Sequence, residues 1–189
     1  MYIWILFLGT RCQLISTAVS SNWHPGRRDK HWPELVSHDC YSTWYKRNDI
    51  SGQAKVSGSP ALDGVHRLSR ANDGFYCKNA EGFAYQSRSI VNEDAWLQLD
   101  FNTSFTLQCL RLSVKSVEFL NDLLFRFGNK SKDEDFTQNP VILYKKNVDT
   151  RTNFEYCLDR DLAGRYLLLH RKPSDENVIH IGDIQVLIN

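Results

Sequence analysis

The chain of 189 residues is long enough for one domain with a hydrophobic core, and its 42% hydrophobic and 24% charged residues are normal for a globular protein. Its 23 Lys and Arg residues are balanced by 22 Asp and Glu residues, which excludes the strongly basic field that attracts nucleic acid. We therefore expect no nucleic-acid partner, and the function has to be sought in motifs and loops.

Residues 1–20 have the pattern of a cleaved secretory signal peptide. The run YIWILFL is continuously apolar, and Ala18 and Ser20 are small residues at the spacing that signal peptidase prefers. The run is shorter than the roughly 20 residues that a membrane span needs. We expect a secreted, extracellular protein, the alternative being a buried N-terminal strand. Two N-x-[ST] sequons fit the same compartment and predict glycosylation at Asn102 and Asn129.

Four cysteines remain outside the expected signal peptide, and an even number in a secreted chain predicts two disulfides. They are Cys40, Cys77, Cys109 and Cys157. From the residues alone all three pairings are open. The cysteines do not come in close pairs, so their spacing is unlike that of zinc ligands.

Residues 21–45 are interpreted as an N-terminal extension that precedes a single domain at 46–189. The extension contains the basic residues Arg27, Arg28 and Lys30 and shows no helical periodicity. We expect a disordered leader; binding of an acidic glycan or proteolytic trimming at the basic residues are the alternatives.

Strand patterns dominate the domain. Apolar and polar residues alternate in Trp96–Leu99 and in Leu110–Val114. The further candidate strands are Leu123–Phe127, Val141–Tyr144, Tyr166–His170 and Ile184–Ile188. Polar, turn-prone loops of about ten residues separate them, and no window keeps a clean helical period, so the pattern predicts an all-β sandwich or jelly roll.

The alternation of apolar and polar residues in the stretch DAWLQLD, at 94–100, predicts which side chains of one strand face the core. Leu97 and Leu99 are two residues apart and share a face, which we expect to be the core face. Trp96 lies on the other face at the strand start, the alternative being a large core residue. Asp100 ends the strand, where its carboxylate can accept backbone N–H bonds from the turn at Asn102.

Several motifs then occur in a recognisable order. An A-x-D-G turn occurs at Ala61–Gly64 and again at Ala71–Gly74, and A-W-L-Q-L-D follows at Ala95–Asp100. G-R-Y-L begins at Gly164, and the strand from Ile184 closes the chain. This order resembles the coagulation factor 5/8 type C, or discoidin-like, domain of the galactose-binding-like superfamily, and is most similar to its fucolectin-like branch. The resemblance covers roughly residues 46–189 and implies a jelly-roll β-sandwich.

The resemblance also implies a calcium ion at the A-x-D-G turn. The matching positions are Asn72 and Asp73, with Asp183 where the family usually has Glu. Hard oxygen ligands of this kind suit Ca²⁺. The alternative is a plain β-turn beside an acid on an edge strand. The second copy of the turn is nearer to the family spacing.

A glycan site, by the same resemblance, would lie among loops at one end of the sandwich. The family's fucose-binding His and two Arg residues cannot be carried over, because this chain has LSVKSV at 112–117. Basic residues in or near the loops are the candidate ligand contacts, with solvated surface residues as the alternative. The candidates are His66, Arg67, Arg70, Arg88 and Lys115.

Binding of membrane lipid, the family's other activity, ranks lower. It needs apolar residues at hairpin tips above a basic rim, and the matching region here offers only Leu62, Val65 and Leu68.

The disulfide pattern departs from that of fucolectin-like proteins. In those proteins the Cys before G-R-Y pairs with one in the preceding strand, near the position of Val141 here. That partner is missing, so we expect Cys157 to pair with Cys77 or Cys109 in preference to Cys40.

These features predict a secreted, non-catalytic module that binds an extracellular or cell-surface glycan or glycoprotein, with the oligomeric state left open. One alternative is a protein-interaction ectodomain used in adhesion. Another is a small secreted hydrolase, although the sequence has no G-x-S-x-G, H-E-x-x-H or P-loop motif. His170 and His180 flank one loop and could meet in space.

Overall fold

The computed structural model describes residues 40–42, 48–77, 84–89, 92–114, 116–144, 153–172 and 177–188. Within them the regular structure consists of β-strands and single-turn 3-10 helices. The strands are β1 (Cys40–Ser42), β2 (Lys55–Gly58), β3 (Phe75–Cys77), β4 (Tyr85–Gln86), β5 (Ala95–Ser113), β6 (Leu124–Gly128), β7 (Val141–Tyr144), β8 (Asn153–Arg171), β9 (His180–Ile181) and β10 (Asp183–Ile188). The 3-10 helices are Ser51–Gln53, Leu68–Ala71, Val117–Leu120 and Phe136–Gln138.

Two strands of 19 residues each, β5 and β8, organise the fold. The first half of β5 pairs with β2 and with the second half of β8, which in turn pairs with β6, and β6 pairs with β7. The second half of β5 pairs with β10 and with the first half of β8. We call these two groups of strands the large layer and the small layer. The predicted all-β sandwich is confirmed.

Both long strands pass from one layer to the other at a bend. The register runs from Asp100 opposite Tyr166 to Phe105 opposite Gly164, so residues 101–104 face Arg165 alone. Asn102 takes a positive φ of 62° there, and its N–H donates to Asp100 Oδ1 at 2.8 Å. The expected role of the Asp100 carboxylate in the following turn is confirmed.

The core lies between the two layers and is built from alternate residues of their strands. Leu97 and Leu99 of the large layer and Leu110 and Leu112 of the small layer are at most 1% exposed. Each such leucine contributes about 2 kcal/mol of hydrophobic free energy on burial. Trp96 is half-buried on the outer face and is not part of this core, so the alternative of a core tryptophan is wrong.

A disulfide joins Cys109 to Cys157, which face each other across β5 and β8. This confirms one of the two expected partners of Cys157. The backbones of Cys40 and Cys77 also pair in register, between β1 and β3, but their side chains lie outside the described part of the structure.

Several predictions concern residues that the structure does not describe. They are the signal peptide at 1–20, the extension apart from 40–42, and the candidate contact Lys115. No helix within the described residues is long and apolar enough to cross a membrane.

Candidate functional site

Loops from different parts of the chain meet at one end of the sandwich, which we call the loop end. It comprises the start of β5, where Ala95 pairs with Arg171, and residues 116–121, which follow the end of β5 and contact Arg171. Arg171 Nη2 donates to the carbonyl oxygens of Phe119 and Asn121 at 2.6 and 2.7 Å. The Phe119 ring stacks on His180 with a centroid distance of 4.7 Å. These contacts hold the segment at 116–121, which follows β5, against the end of β8 and against His180.

The first A-x-D-G turn is an ordered feature of the loop end. Asp63 Oδ1 accepts the N–H groups of Val65 at 2.8 Å and of His66 at 2.9 Å, and lies 2.9 Å from His66 Nδ1. These hydrogen bonds, led by the one from the His66 backbone, lower the pKa of Asp63 to about 2. Arg67 Nε donates to Gly64 O at 2.6 Å, so the charged side chains are held against their own turn.

Backbone hydrogen bonds tie this turn to the segment that carries Arg88. The N–H of Leu62 donates to Gln86 O at 2.8 Å, and the N–H of Arg88 donates to Pro60 O at 2.7 Å. His66, Arg67 and Arg88 therefore lie on adjoining segments, with both arginines exposed. The structure thus groups three of the basic residues that the sequence predicts as ligand contacts.

Arg70 lies elsewhere, at the second A-x-D-G turn. Gly74 has a φ of 72°, the positive value that the turn requires, whereas Gly64 does not take a positive φ. The N–H of Gly74 donates to Asp183 Oδ1 at 3.0 Å. This contact places Asp183 beside the turn that carries Asn72 and Asp73, the other two expected metal ligands.

The oxygens of this turn already face hydrogen-bond donors. Asp73 accepts the N–H of Phe75 at 3.0 Å and Arg70 Nη1 at 3.1 Å. Asn72 directs its Nδ2 group to Ser51 O at 2.8 Å and to Ala54 O at 3.4 Å. Burial raises the pKa of Asp73, while the hydrogen bonds from Phe75 and Arg70 lower it. Arg70 lies against the Asp73 carboxylate that Ca²⁺ would need, so this arrangement does not fit the ion unless Arg70 turns away.

An open cleft of about 490 Å³ lies beside the turn. Its lining combines apolar residues with the polar residues Ser69, Asn72 and Asp73. The lining residues are Gly52, Ala54, Val56, Leu68, Ser69, Asn72 and Asp73.

A second polar and aromatic cluster, which the sequence did not predict, lies where β5 begins and β8 ends. We call it the Trp96 group; its members are Asp94, Trp96, Lys132, Phe136 and His170. His170 Nε2 lies 2.6 Å from Asp94 Oδ2, and the His170 ring meets Phe136 edge-on at 5.1 Å. Lys132 Nζ lies 4.9 Å from the Phe136 centroid and 5.7 Å from that of Trp96. Only the outward position of Trp96 could be predicted from the alternating pattern.

The two histidines considered for a hydrolase contact different neighbours. His170 pairs with the single carboxylate of Asp94, whereas His180 stacks on Phe119. The group of possible metal ligands found in the described part of the chain is Cys109, Glu155 and Cys157, and its two sulfurs form the disulfide. Neither arrangement provides the two carboxylates and a histidine that the hydrolase alternative requires.

The asparagines of both sequons, Asn102 and Asn129, are exposed, as a glycosylation acceptor must be. Asn102 lies at the bend between the layers, and Asn129 follows β6.

Comparison with known proteins relates the chain to lectins and carbohydrate-binding modules. No family model and no curated protein sequence matches it. Its structure is similar to that of a fucolectin from the serum of striped bass, Morone saxatilis, with a TM-score of 0.62, 17% identity and coverage of 76% of this chain and 49% of that one. The chain thus spans about half the length of that lectin.

Two bacterial modules are also similar. One is a fucose-binding module of Streptococcus pneumoniae, with a TM-score of 0.58, 12% identity and coverage of 75% of this chain and 96% of that one. The other is the family 32 carbohydrate-binding module of Clostridium perfringens NanJ, solved with galactose, with a TM-score of 0.56, 10% identity and coverage of 74% and 97%. At these identities the likeness shows the fold.

Proposed function

Because the chain has the galactose-binding-like β-sandwich of lectins and carbohydrate-binding modules, we propose that it is a non-catalytic module that binds a glycan at its loop end. The observation that carries the proposal is the grouping of His66, Arg67 and Arg88 on adjoining segments of that end. Guanidinium and imidazole N–H groups donate to sugar hydroxyl oxygens, and these side chains come from loops positioned by a rigid scaffold.

The arginine of the first turn is suited to this role because it is already ordered. Arg67 uses Nε to bind Gly64 O, and within the described residues its Nη groups form no hydrogen bond, so they can donate to a ligand. The turn itself is closed by Asp63. Binding a sugar would therefore cost less conformational entropy than ordering a free loop, which raises affinity.

The proposed module also includes the turn at Asp73, which in this proposal acts without a bound metal ion. Arg70 supplies the positive charge beside Asp73 that the resemblance assigns to calcium. Glycan binding should then be independent of calcium.

The partner in this proposal is an extracellular glycan or glycoprotein, reached by secretion of the chain. The apolar run in residues 1–20, the disulfide and the two exposed sequons support this compartment. A single sugar site binds weakly, so a functional lectin of this kind would gain affinity by multivalency.

A glycan array tests the proposal. We expect saturable binding by the purified chain, unchanged by EDTA, and a loss of at least about tenfold in a variant with Arg67→Gln and Arg88→Gln, which is about 1.4 kcal/mol. Arg160→Gln is the matched control, since Arg160 is an exposed arginine on β8. An array without a bound glycan, or equal loss in the control, would refute the proposal.

A protein-interaction ectodomain is the second candidate. Leu62 and Val65, on the first turn, are 40% and 51% exposed, and exposed apolar side chains beside charged ones are typical of protein interfaces. A silent glycan array together with a protein ligand lost in a Leu62→Ser and Val65→Ser variant would favour this function.

A further inference from the structure

We propose that the Trp96 group is a second sugar subsite, on the outer face of the large layer, and that it accepts a neutral pyranose. The proposal rests on the glycan-binding function and extends it. It assigns a ligand-binding role to residues that lie outside the loop-end arginines.

The strand register assembles this subsite. Trp96 pairs with His170 across β5 and β8, and His170 pairs with Leu124 of β6. Because Leu97 faces the core, Trp96 faces outward, and its indole is half-buried rather than enclosed. A partly open indole can stack on the apolar face of a pyranose ring.

Asp94 provides a fixed acceptor beside the indole. Its side chain is 38% exposed, while that of His170 is 7% exposed. A carboxylate only accepts hydrogen bonds, so His170 Nε2 is the donor in the 2.6 Å contact to Asp94 Oδ2. Within the described residues Asp94 Oδ1 has no protein donor, which leaves it for a sugar hydroxyl. Phe136 in turn holds the imidazole in place.

Lys132 provides a donor on the other side. Its backbone N–H donates to Gln98 Oε1 at 2.6 Å, so the loop that carries it is attached to the outer face of β5. Its ammonium lies over the rings of Phe136 and Trp96, and within the described residues it forms no ion pair. A sugar that stacks on the indole would displace this ammonium toward the ring edge, where it can donate to a sugar hydroxyl.

The charges select the class of sugar. Asp94, which contacts His170, and Lys132, which lies over Trp96 and Phe136, carry opposite charges within this group. Because the attraction of a charged sugar to one of these groups is offset by its repulsion from the other, the site gains little from a net charge on the ligand, whereas a neutral pyranose uses both groups as acceptor and donor. Such donor and acceptor pairs with an aromatic ring give orientation and specificity in small-ligand sites.

The test follows the indole N–H signal of Trp96 by NMR, assigned by its loss in Trp96→Phe. The probes are the methyl glycosides of galactose, glucose, mannose and fucose, with N-acetylneuraminic acid as the acidic probe. We expect a saturable shift with at least one neutral glycoside, and an affinity weakened about tenfold or more in Asp94→Asn and in Lys132→Met. The Arg67→Gln and Arg88→Gln variant should keep the Trp96 response while losing its array signal.

The outcomes separate this inference from the proposed function. An array signal without any Trp96 response, or a response lost only in the arginine variant, overturns the subsite and leaves loop-end binding intact. A response to the acidic sugar alone overturns the neutral-pyranose assignment. If no glycan on the array binds and no glycoside shifts the Trp96 signal, both the subsite and the proposed glycan-binding function are overturned.

Discussion

Asp100 and Arg165 form a two-point ion pair at the bend where both long strands change layer. Arg165 Nε lies 2.7 Å from Asp100 Oδ1, and Arg165 Nη2 lies 2.8 Å from Asp100 Oδ2. Asp100 is the last residue before the excess segment of β5, and Arg165 is the one residue opposite that segment. The pair therefore closes the irregular part of the ladder, where regular strand pairing is interrupted.

Asp100→Asn should destabilise the protein at neutral pH by about 1 kcal/mol, the upper range for a partly exposed ion pair. Hydrogen bonds from Arg165 lower the pKa of Asp100 below its ordinary value. The pair therefore stabilises the fold above the unfolded pKa of about 3.9, and this contribution is lost as pH falls through the lower folded value. Urea unfolding should show wild type and variant converging in acid. Glu118→Gln, an exposed acid, is the control, and a difference that persists in acid would contradict the assignment.

Gly164→Ala should destabilise the fold by about 1–3 kcal/mol, the usual cost of forcing atoms into a packed site. A Cβ at Gly164 would lie 2.7 Å from Gly128 Cα and 2.8 Å from Gly128 N, and backbone atoms cannot move aside like a side chain. Gly64→Ala is the matched control, because a Cβ there meets nothing within 4 Å, and we expect a change within about 0.5 kcal/mol. Thermal unfolding measures both. Equal unfolding midpoints for the two variants would show that the backbones at Gly164 and Gly128 can move apart to admit the methyl group.

The layered β fold could be predicted because its central strands alternate clearly. Leu97 and Leu99 occupy the predicted core face, and the predicted strand at Val141–Tyr144 has the bounds that the structure shows. The strand Lys55–Gly58 was not predicted, since it is short and polar and pairs with β5 through its backbone. The first half of β8 was missed because its residues around Asp159–Asp161 are charged and exposed, as in a loop.

The candidate sites were less accessible to sequence reasoning. The pairing of Asp63 with His66 is local, and a basic loop could be identified from composition alone. Asp94 and His170 are 76 residues apart and meet only because the register of β5 and β8 places them together. No spacing rule gives that register before the strands are known. The partnership of Arg70 with Asp73 is local, like that of Asp63 with His66, and forms where the helical turn at Leu68–Ala71 leads into the second A-x-D-G turn.

Arg70→Gln should destabilise the second turn by about 1 kcal/mol at neutral pH, because it leaves the Asp73 carboxylate without its guanidinium. Burial already raises the pKa of Asp73, and removal of Arg70 should raise it further. The charged form is then disfavoured more strongly in the folded variant than in the folded wild type. The extra loss of stability therefore appears as pH rises through the raised folded pKa of wild-type Asp73, and it is absent at lower pH, where Asp73 is protonated in both proteins. Urea unfolding across this range, with Arg160→Gln as the control, measures the effect. A loss of stability that is independent of pH would argue against the pairing.

Calcium should leave the wild-type unfolding temperature unchanged relative to EDTA, because Arg70 already binds the Asp73 carboxylate that the ion would need. Binding to the folded state at a hundredfold excess over Kd would add about 2.7 kcal/mol of stability, which thermal unfolding detects readily. A clear rise of the wild-type unfolding temperature with calcium would support the calcium-bound turn that the sequence resemblance implies. Asp183→Asn, which removes one expected ligand, should then abolish that rise.

Cys40 and Cys77 should form a second disulfide. Their backbones face each other in register between β1 and β3, as those of Cys109 and Cys157 do between β5 and β8, where a disulfide is present. Directly opposed residues of antiparallel strands bring their Cβ atoms to the separation that a disulfide needs. Peptide mapping without reduction should recover both cross-linked pairs.

Cys40→Ser and Cys77→Ser should each lower stability by up to about 4 kcal/mol. The double variant should lose no more stability than either single variant, because each change removes the same bond. A free thiol at Cys40 or Cys77 in the secreted chain, or additive losses in the double variant, would contradict this pairing.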